Sequence, residues 1–209
     1  ASFDAYMEAC SGQKSLDVVL AARDDFIVTA NHQQKIYIET SNRLTHLAPA
    51  LARAFPESRF IHLHRHPYDV VRSYMKRQAY EGHPWDFARI RPRAGDADAQ
   101  RWERLSSVEK LAWYWARVNR DAHDFMHTLP ASRRFEVRAD TLFRADAPTL
   151  TTLFAFAGVA CPTKRKIQHV LAGKLNANRL PTAWDWTDVD RQRVQQLTSS
   201  VAVDLGYEL

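Results

Sequence analysis

Residues 60–74 read Phe60-Ile61-His62-Leu63-His64-Arg65-His66-Pro67-Tyr68-Asp69-Val70-Val71-Arg72-Ser73-Tyr74. Phe60, Ile61 and Leu63 mark a short strand, and Pro67 marks the first position of a helix, where a missing N–H costs least. Arg65 stands at the junction. A helix amino terminus offers unpaired N–H groups and a positive dipole end, which suit an anion. Arg65 adds a planar, permanently charged fork that matches phosphate. Ser73 lies four residues beyond Asp69 on the same helical face, and helical side chains lean toward the amino terminus. An arginine and a serine from adjoining elements are thereby placed to grip one phosphate. The same spacing suits an ordinary strand–helix turn with a surface arginine, and these residues alone leave both readings open.

Upstream of this stretch, residues 15–31 read as a helix with Leu16, Val19, Leu20, Phe26 and Ile27 on its apolar positions. Lys35-Ile36-Tyr37-Ile38-Glu39 reads as a strand from its β-branched and aromatic content. Arg43 to Phe55 carries Leu44, Leu47, Leu51 and Phe55 at helical spacing, and Pro56 ends it. Downstream, the helix from Pro67 runs to about Arg77. Residues 79–105 have no steady period and read as a long surface loop, a length often associated with lids. A strong helix is predicted from Ser107 to Leu129, a third strand over Phe135-Glu136-Val137-Arg138, and helices near 146–157, 163–171 and 187–199. This alternation predicts an α/β fold, a mostly parallel sheet flanked by helices in three layers. Ligands of such sheets bind beyond the carboxyl ends of the strands, so the residues after Ile38, Leu63 and Val137 matter most.

The chain has 209 residues, of which 45% are hydrophobic and 25% charged. That suffices for a single domain over 1–209. The net charge of +5 favours anionic ligands without naming one. The two cysteines, Cys10 and Cys161, are too few for a disulfide framework and read as reduced thiols. No apolar run is long enough to span a bilayer, and the first residues do not read as a signal peptide. The expected compartment is the cytoplasm, with no membrane partner.

The 60–74 stretch resembles the 3′-phosphate-binding signature of sulfotransferases, the enzymes that use 3′-phosphoadenosine 5′-phosphosulfate as donor. That signature is a hydrophobic strand, an arginine, a short polar stretch usually with proline, Asp-Val, and then a serine. The resemblance implies that Arg65 and Ser73 hold the donor's 3′-phosphate. Three further segments are similar to the bacterial branch of the family: Tyr37-Ile38-Glu39-Thr40-Ser41-Asn42-Arg43-Leu44, Phe135-Glu136-Val137-Arg138-Ala139-Asp140-Thr141-Leu142, and Lys174-Leu175-Asn176-Ala177 followed by Trp184. In the second of these, Ala139 stands where the family usually has tyrosine. The third resembles the carboxyl-terminal loop that folds over the donor. The likeness covers roughly residues 35–209. It implies a sulfotransferase fold similar to phosphate-loop nucleotide hydrolases. It also implies transfer of a sulfuryl group to a hydroxyl or amine on a small-molecule, glycan or peptide acceptor, with no metal.

The family binds the 5′-phosphosulfate with an amino-terminal strand and a loop resembling Pro-Lys/Arg-Ser-Gly-Thr-Thr. Small residues there let backbone N–H groups converge on the anion. Ser11-Gly12-Gln13-Lys14 lacks a preceding hydrophobic strand and reads as a turn. The expectation is a fold without its first strand and loop, with that segment upstream of residue 1.

Sulfuryl transfer asks for positioning, cationic stabilisation and a base, by analogy with phosphoryl transfer. Glu39, at a strand end, is the candidate base; its competing role is an ion pair with Arg43. His32, His62, His64 and His66 are alternatives. His62 and His64 share one strand face and read first as hydrogen-bonded structural groups, while His66 lies near enough to donate to phosphate. Lys174 and Asn176 are candidates for the 3′-phosphate from the carboxyl-terminal loop. Arg138 either lines the cleft or pairs with Asp140. Of Trp113, Tyr114 and Trp115, at least one belongs in the core. Arg89, Arg91 and Arg93 form either a basic rim or a solvated loop. No His/Cys/Asp cluster shows zinc spacing along the chain. Three other functions compete with the enzyme: a non-catalytic module binding adenosine 3′-phosphate nucleotides, a phosphate-loop kinase, and a nucleic-acid binder. The last has only charge in its favour, and no nucleic-acid partner is expected.

Overall fold

The computed structural model describes residues 13–172 and 186–209. Among these residues the fold is α/β, mostly helical, with a two-stranded parallel sheet. Strand β1 (Phe60–His64) pairs with β2 (Arg134–Arg138) in a register that sets Phe60 against Arg134 and His64 against Arg138. The helices are α1 (Gln13–Ala21), α2 (Asp24–His32), α3 (Ala48–Ala54), α4 (Pro67–Met75), α5 (Ser107–His127), α6 (Ala139–Phe143), α7 (Ala147–Ala157), α8 (Lys164–Ala172) and α9 (Asp188–Asp204). Two compact units are distinct: residues 1–57 with 84–104, and residues 58–83 with 105–209.

The second unit contains the sheet. Helix α5 is its spine, started by a full capping box. The Ser106 hydroxyl accepts from the Glu109 backbone N–H, and the Glu109 carboxylate accepts from the Ser106 N–H. One face of α5 buries Val108, Leu111 and Ala112 with Val71 of α4, and with Trp186 and Val194. One turn further on, Trp115 packs with Val201, Ala202, Leu205 and Tyr207. Trp113 and Trp115 are both buried, so both belong to the core.

The first unit has its own core of Leu16, Val19, Leu44, Leu47 and Ala50. The helix expected over 15–31 is two helices. Arg23 leaves helical geometry at φ −125°, and Asp24 and Asp25 then occupy the first turn of α2, where negative charge is favourable. Phe26 is 66% exposed, so its apolar character marks no core face. The predicted helix 43–55 begins as a 3-10 turn (Asn42–Leu47) and becomes α-helical at Ala48.

The strand expected over 35–39 does not form. Residues 35–41 are neither helix nor strand, and Ile36 and Ile38 are exposed. β-branched residues favour an extended backbone, but a strand also needs a ladder partner, which composition does not supply. The sheet therefore has two described strands rather than three. The loop over 79–105 carries two short 3-10 turns, Asp86–Ala88 and Trp102–Arg104. No helix among the described residues is long and apolar enough to cross a membrane.

Candidate functional site

Parallel pairing brings the carboxyl ends of β1 and β2 to the same edge. Arg65 follows β1 directly, and Arg138 ends β2 opposite His64. Each strand passes at once into a helix, α4 at Pro67 and α6 at Ala139.

Arg65 is held from two sides. Its backbone carbonyl accepts from the Trp115 indole Nε1–H at 3.0 Å. Its guanidinium reaches one helical turn forward, with Nε at 3.1 Å and Nη2 at 3.0 Å from Asp69 Oδ2. Asp69 also accepts from Arg72 Nη2 at 2.6 Å through its other oxygen. One carboxylate between two guanidiniums leaves positive charge in excess beside the first turn of α4. The Arg65 side chain keeps 42% of its surface open, so it is oriented yet reachable. Ser73 follows Asp69 by one turn of α4 and is half-buried.

His66 caps α4. Its Nδ1 accepts from the Tyr68 backbone N–H at 3.3 Å, and its Nε2 donates to the Glu208 carbonyl at 3.2 Å. Both ring nitrogens are therefore engaged, and the expected donation from His66 to phosphate would cost one of these bonds.

Arg138 both pairs with Asp140 and lines a cleft. Its Nε and Nη2 lie 3.1 and 3.2 Å from the two Asp140 oxygens, and Nη1 donates to the Gly206 carbonyl at 2.8 Å. Its guanidinium sits 4.5 Å from the centre of the Tyr207 ring, a cation–π contact. The cleft is open, about 640 Å³, and is lined by β2, α6 and α7 with the end of α9. His64 also lines it, with Nδ1 2.9 Å from the Tyr207 hydroxyl. Burial, with His62 beside it, lowers the His64 pKa to about 4. His62 and His64 are hydrogen-bonded on one strand face, as expected: Nε2 of His62 donates to Asn119 Oδ1 at 3.2 Å.

In the first unit, Glu39 pairs with Arg23 rather than standing open. Arg23 Nε lies 2.6 Å from Oε2, and the Tyr37 hydroxyl donates to the same oxygen at 2.7 Å. The Arg23 and Tyr37 hydrogen bonds hold the Glu39 carboxyl below the usual carboxylate range. Arg89 pairs with Asp86 at 2.7 Å. Lys174, Asn176 and Trp184 lie outside the described residues.

Sequence reasoning missed the parts that orient Arg65: the shared Asp69, the second guanidinium of Arg72 and the indole of Trp115. The spacing of four between Arg65 and Asp69 was a visible signal. The Trp115 bond spans fifty positions and leaves no local trace.

Among solved structures, the chain is similar to the "Sulfotransferase Domain from the Curacin Biosynthetic Pathway", at 18% identity and a TM-score of 0.48. The similarity covers 81% of this chain and 59% of that one. This chain thus matches less than two thirds of that structure's length. No curated protein matches it. The sequence pattern of the sulfotransferase family matches over residues 1–163, well over half of the chain. The β1–α4 junction with its oriented arginine lies within those residues, and the chain belongs to the sulfotransferase family.

Proposed function

We propose that this chain binds the adenosine 3′-phosphate end of 3′-phosphoadenosine 5′-phosphosulfate at the β1–α4 junction. In this reading it is the donor-binding part of an enzyme that transfers the sulfuryl group to a hydroxyl or amine. The observation that carries the reading is the Arg65 guanidinium, tied to Asp69 yet 42% open at a helix amino terminus. Arg65 supplies a charged fork, Ser73 a hydroxyl, and the first N–H groups of α4 a converging partial charge. Asp69 acts by positioning, and Arg72 offsets its charge. The β1–β2 pair is then part of a three-layer, mostly parallel sheet of the phosphate-loop type.

Transfer needs an acceptor oxygen or nitrogen to attack sulfur in line while a base takes its proton. Glu39 is the proposed base. It must leave Arg23 and Tyr37 first, because their hydrogen bonds stabilise the charged carboxylate and weaken it as a base. Lys174 and Asn176 are proposed as further 3′-phosphate contacts.

Calorimetry with adenosine 3′,5′-bisphosphate tests the reading. Saturable one-to-one binding is expected, weakened about ten- to hundredfold by Arg65→Ala, the range for a lost charge-assisted bond. Absent binding, or binding indifferent to Arg65→Ala, overturns it. Release of adenosine 3′,5′-bisphosphate from the donor in the presence of acceptor mixtures then separates a transferase from a module that only binds.

A further inference from the structure

A second polar cluster lies on the α5 side of the sheet. His123 and His127 are one turn apart on α5, and Glu136 stands on β2. One ligand atom from each lies within 4.8 Å of the others. His62 of β1 joins them, with its Nδ1 3.5 Å from Glu136 Oε2. His123 Nδ1 lies 3.3 Å from the same oxygen, and His127 Nδ1 lies 3.9 Å from Oε1.

His62 points to a missing partner. Its side chain is 9% exposed, and its Nδ1 is a buried nitrogen without a hydrogen-bond partner. Nε2 donates to Asn119 Oδ1, and Asn119 Nδ2 donates in turn to the Trp115 carbonyl at 2.8 Å. That chain of bonds fixes Nε2 as the protonated nitrogen and aims the Nδ1 lone pair at the Glu136 carboxylate. A buried lone pair 3.5 Å from a carboxylate oxygen calls for a cation between them. His127 is oriented in the same manner: its Nδ1 donates to the His123 carbonyl at 2.9 Å, which leaves Nε2 as the donor atom. Imidazoles steered by hydrogen bonds from their other nitrogen are the usual outer support of a metal centre.

We propose that His62, His123, His127 and Glu136 bind one divalent transition-metal ion, and that the ion clamps α5 to both strands. Three imidazoles and one carboxylate suit zinc, with nickel and copper as chemical competitors. A tetrahedral ion with bonds near 2.1 Å spaces its ligands about 3.4 Å apart. The separations of His123 and His62 from Glu136 Oε2 already match this; His127 contributes Nε2, since its Nδ1 is held by the His123 carbonyl. The linear sequence led to an expectation of no metal. The only local sign was His123-x-x-x-His127, and the other two ligands come from strands far apart in the chain. This inference does not depend on the proposed donor site.

The test uses the full, untagged chain, freed of metal with chelator and titrated with Zn²⁺ by calorimetry and with Co²⁺ by visible absorption. The expected results are one saturating equivalent, a tetrahedral Co²⁺ spectrum, and a melting temperature several degrees higher with Zn²⁺ than with chelator. His127→Gln and Glu136→Gln should each weaken binding at least tenfold, while Cys161→Ser leaves it unchanged. His127 is half-exposed, so its variant keeps its fold in chelator and decides the matter if Glu136→Gln does not. Absence of a saturable equivalent overturns the proposal, as does affinity unchanged in His127→Gln or lost in Cys161→Ser. The cluster is then an ionic His–Glu network only.

Discussion

The Trp115 indole donates its N–H to the backbone carbonyl of Arg65 across 3.0 Å. Trp115 is 2% exposed in the core of the second unit. The strand–helix junction is thereby anchored to the spine helix from within. Trp115→Phe keeps an aromatic ring but removes the donor and leaves a small void. Stability is expected to fall by about 1–3 kcal/mol. Adenosine 3′,5′-bisphosphate affinity should fall several-fold although no charge is lost. Urea denaturation and calorimetry on the same variant check both halves; unchanged affinity would show that the anchor does not position Arg65.

Arg65 and Ser73 are expected to act on one phosphate. Ser73→Ala should weaken nucleotide binding by roughly tenfold, less than Arg65→Ala, because a hydroxyl brings one bond and no charge. The double variant should lose less than the sum of the two, since groups sharing a ligand couple. Strict additivity in a calorimetric double-mutant cycle argues for separate ligands. Arg65→Lys should recover only part of the loss, as an ammonium cannot reproduce the planar fork.

His64 and Tyr207 form a buried bond of 2.9 Å, and both residues are under a tenth exposed. Tyr207→Phe keeps the ring beneath the Arg138 guanidinium but leaves a buried imidazole nitrogen unpaired. A loss of about 1–3 kcal/mol is expected. In urea the midpoint should drop with its slope unchanged. A midpoint equal to wild type would mean that water replaces the hydroxyl through the open cleft.

The Glu39 carboxyl is depressed first by Arg23 and then by Tyr37. A carboxyl lowered in the folded state contributes stability that is present above its ordinary value of 4.5 and is lost as pH falls through the depressed value. Arg23→Ala should return the Glu39 titration toward the ordinary value, as followed by carbon NMR of the side-chain carboxyl. The same variant should flatten this part of the acid dependence of stability. A titration midpoint unmoved by Arg23→Ala would mean that the pair does not form in solution.

Elements with strong local causes were legible in the chain. Pro67 after Arg65 marked the start of α4, and the strong helix expected from Ser107 to Leu129 is α5. The alternation of His62 and His64 with Ile61 and Leu63 marked a strand face. Residues 35–39 looked alike in composition but formed no strand, because pairing depends on a neighbour elsewhere in the chain. The break between α1 and α2 was also hidden, since Ala22-Arg23 carries no helix breaker.

The sequence by itself determined which polar chemistry is present at the β1–α4 junction, because strand, arginine, proline and serine lie within one local run. Tertiary structure alone decided what surrounds that chemistry. Trp115 reaches the Arg65 carbonyl from another helix, Arg138 is tied to Gly206 and the Tyr207 ring, and Glu39 is held by Arg23. These partners lie 16 to 69 positions apart. Bonds over such distances depend on how packed elements bring their surfaces together, and no short window of residues encodes that.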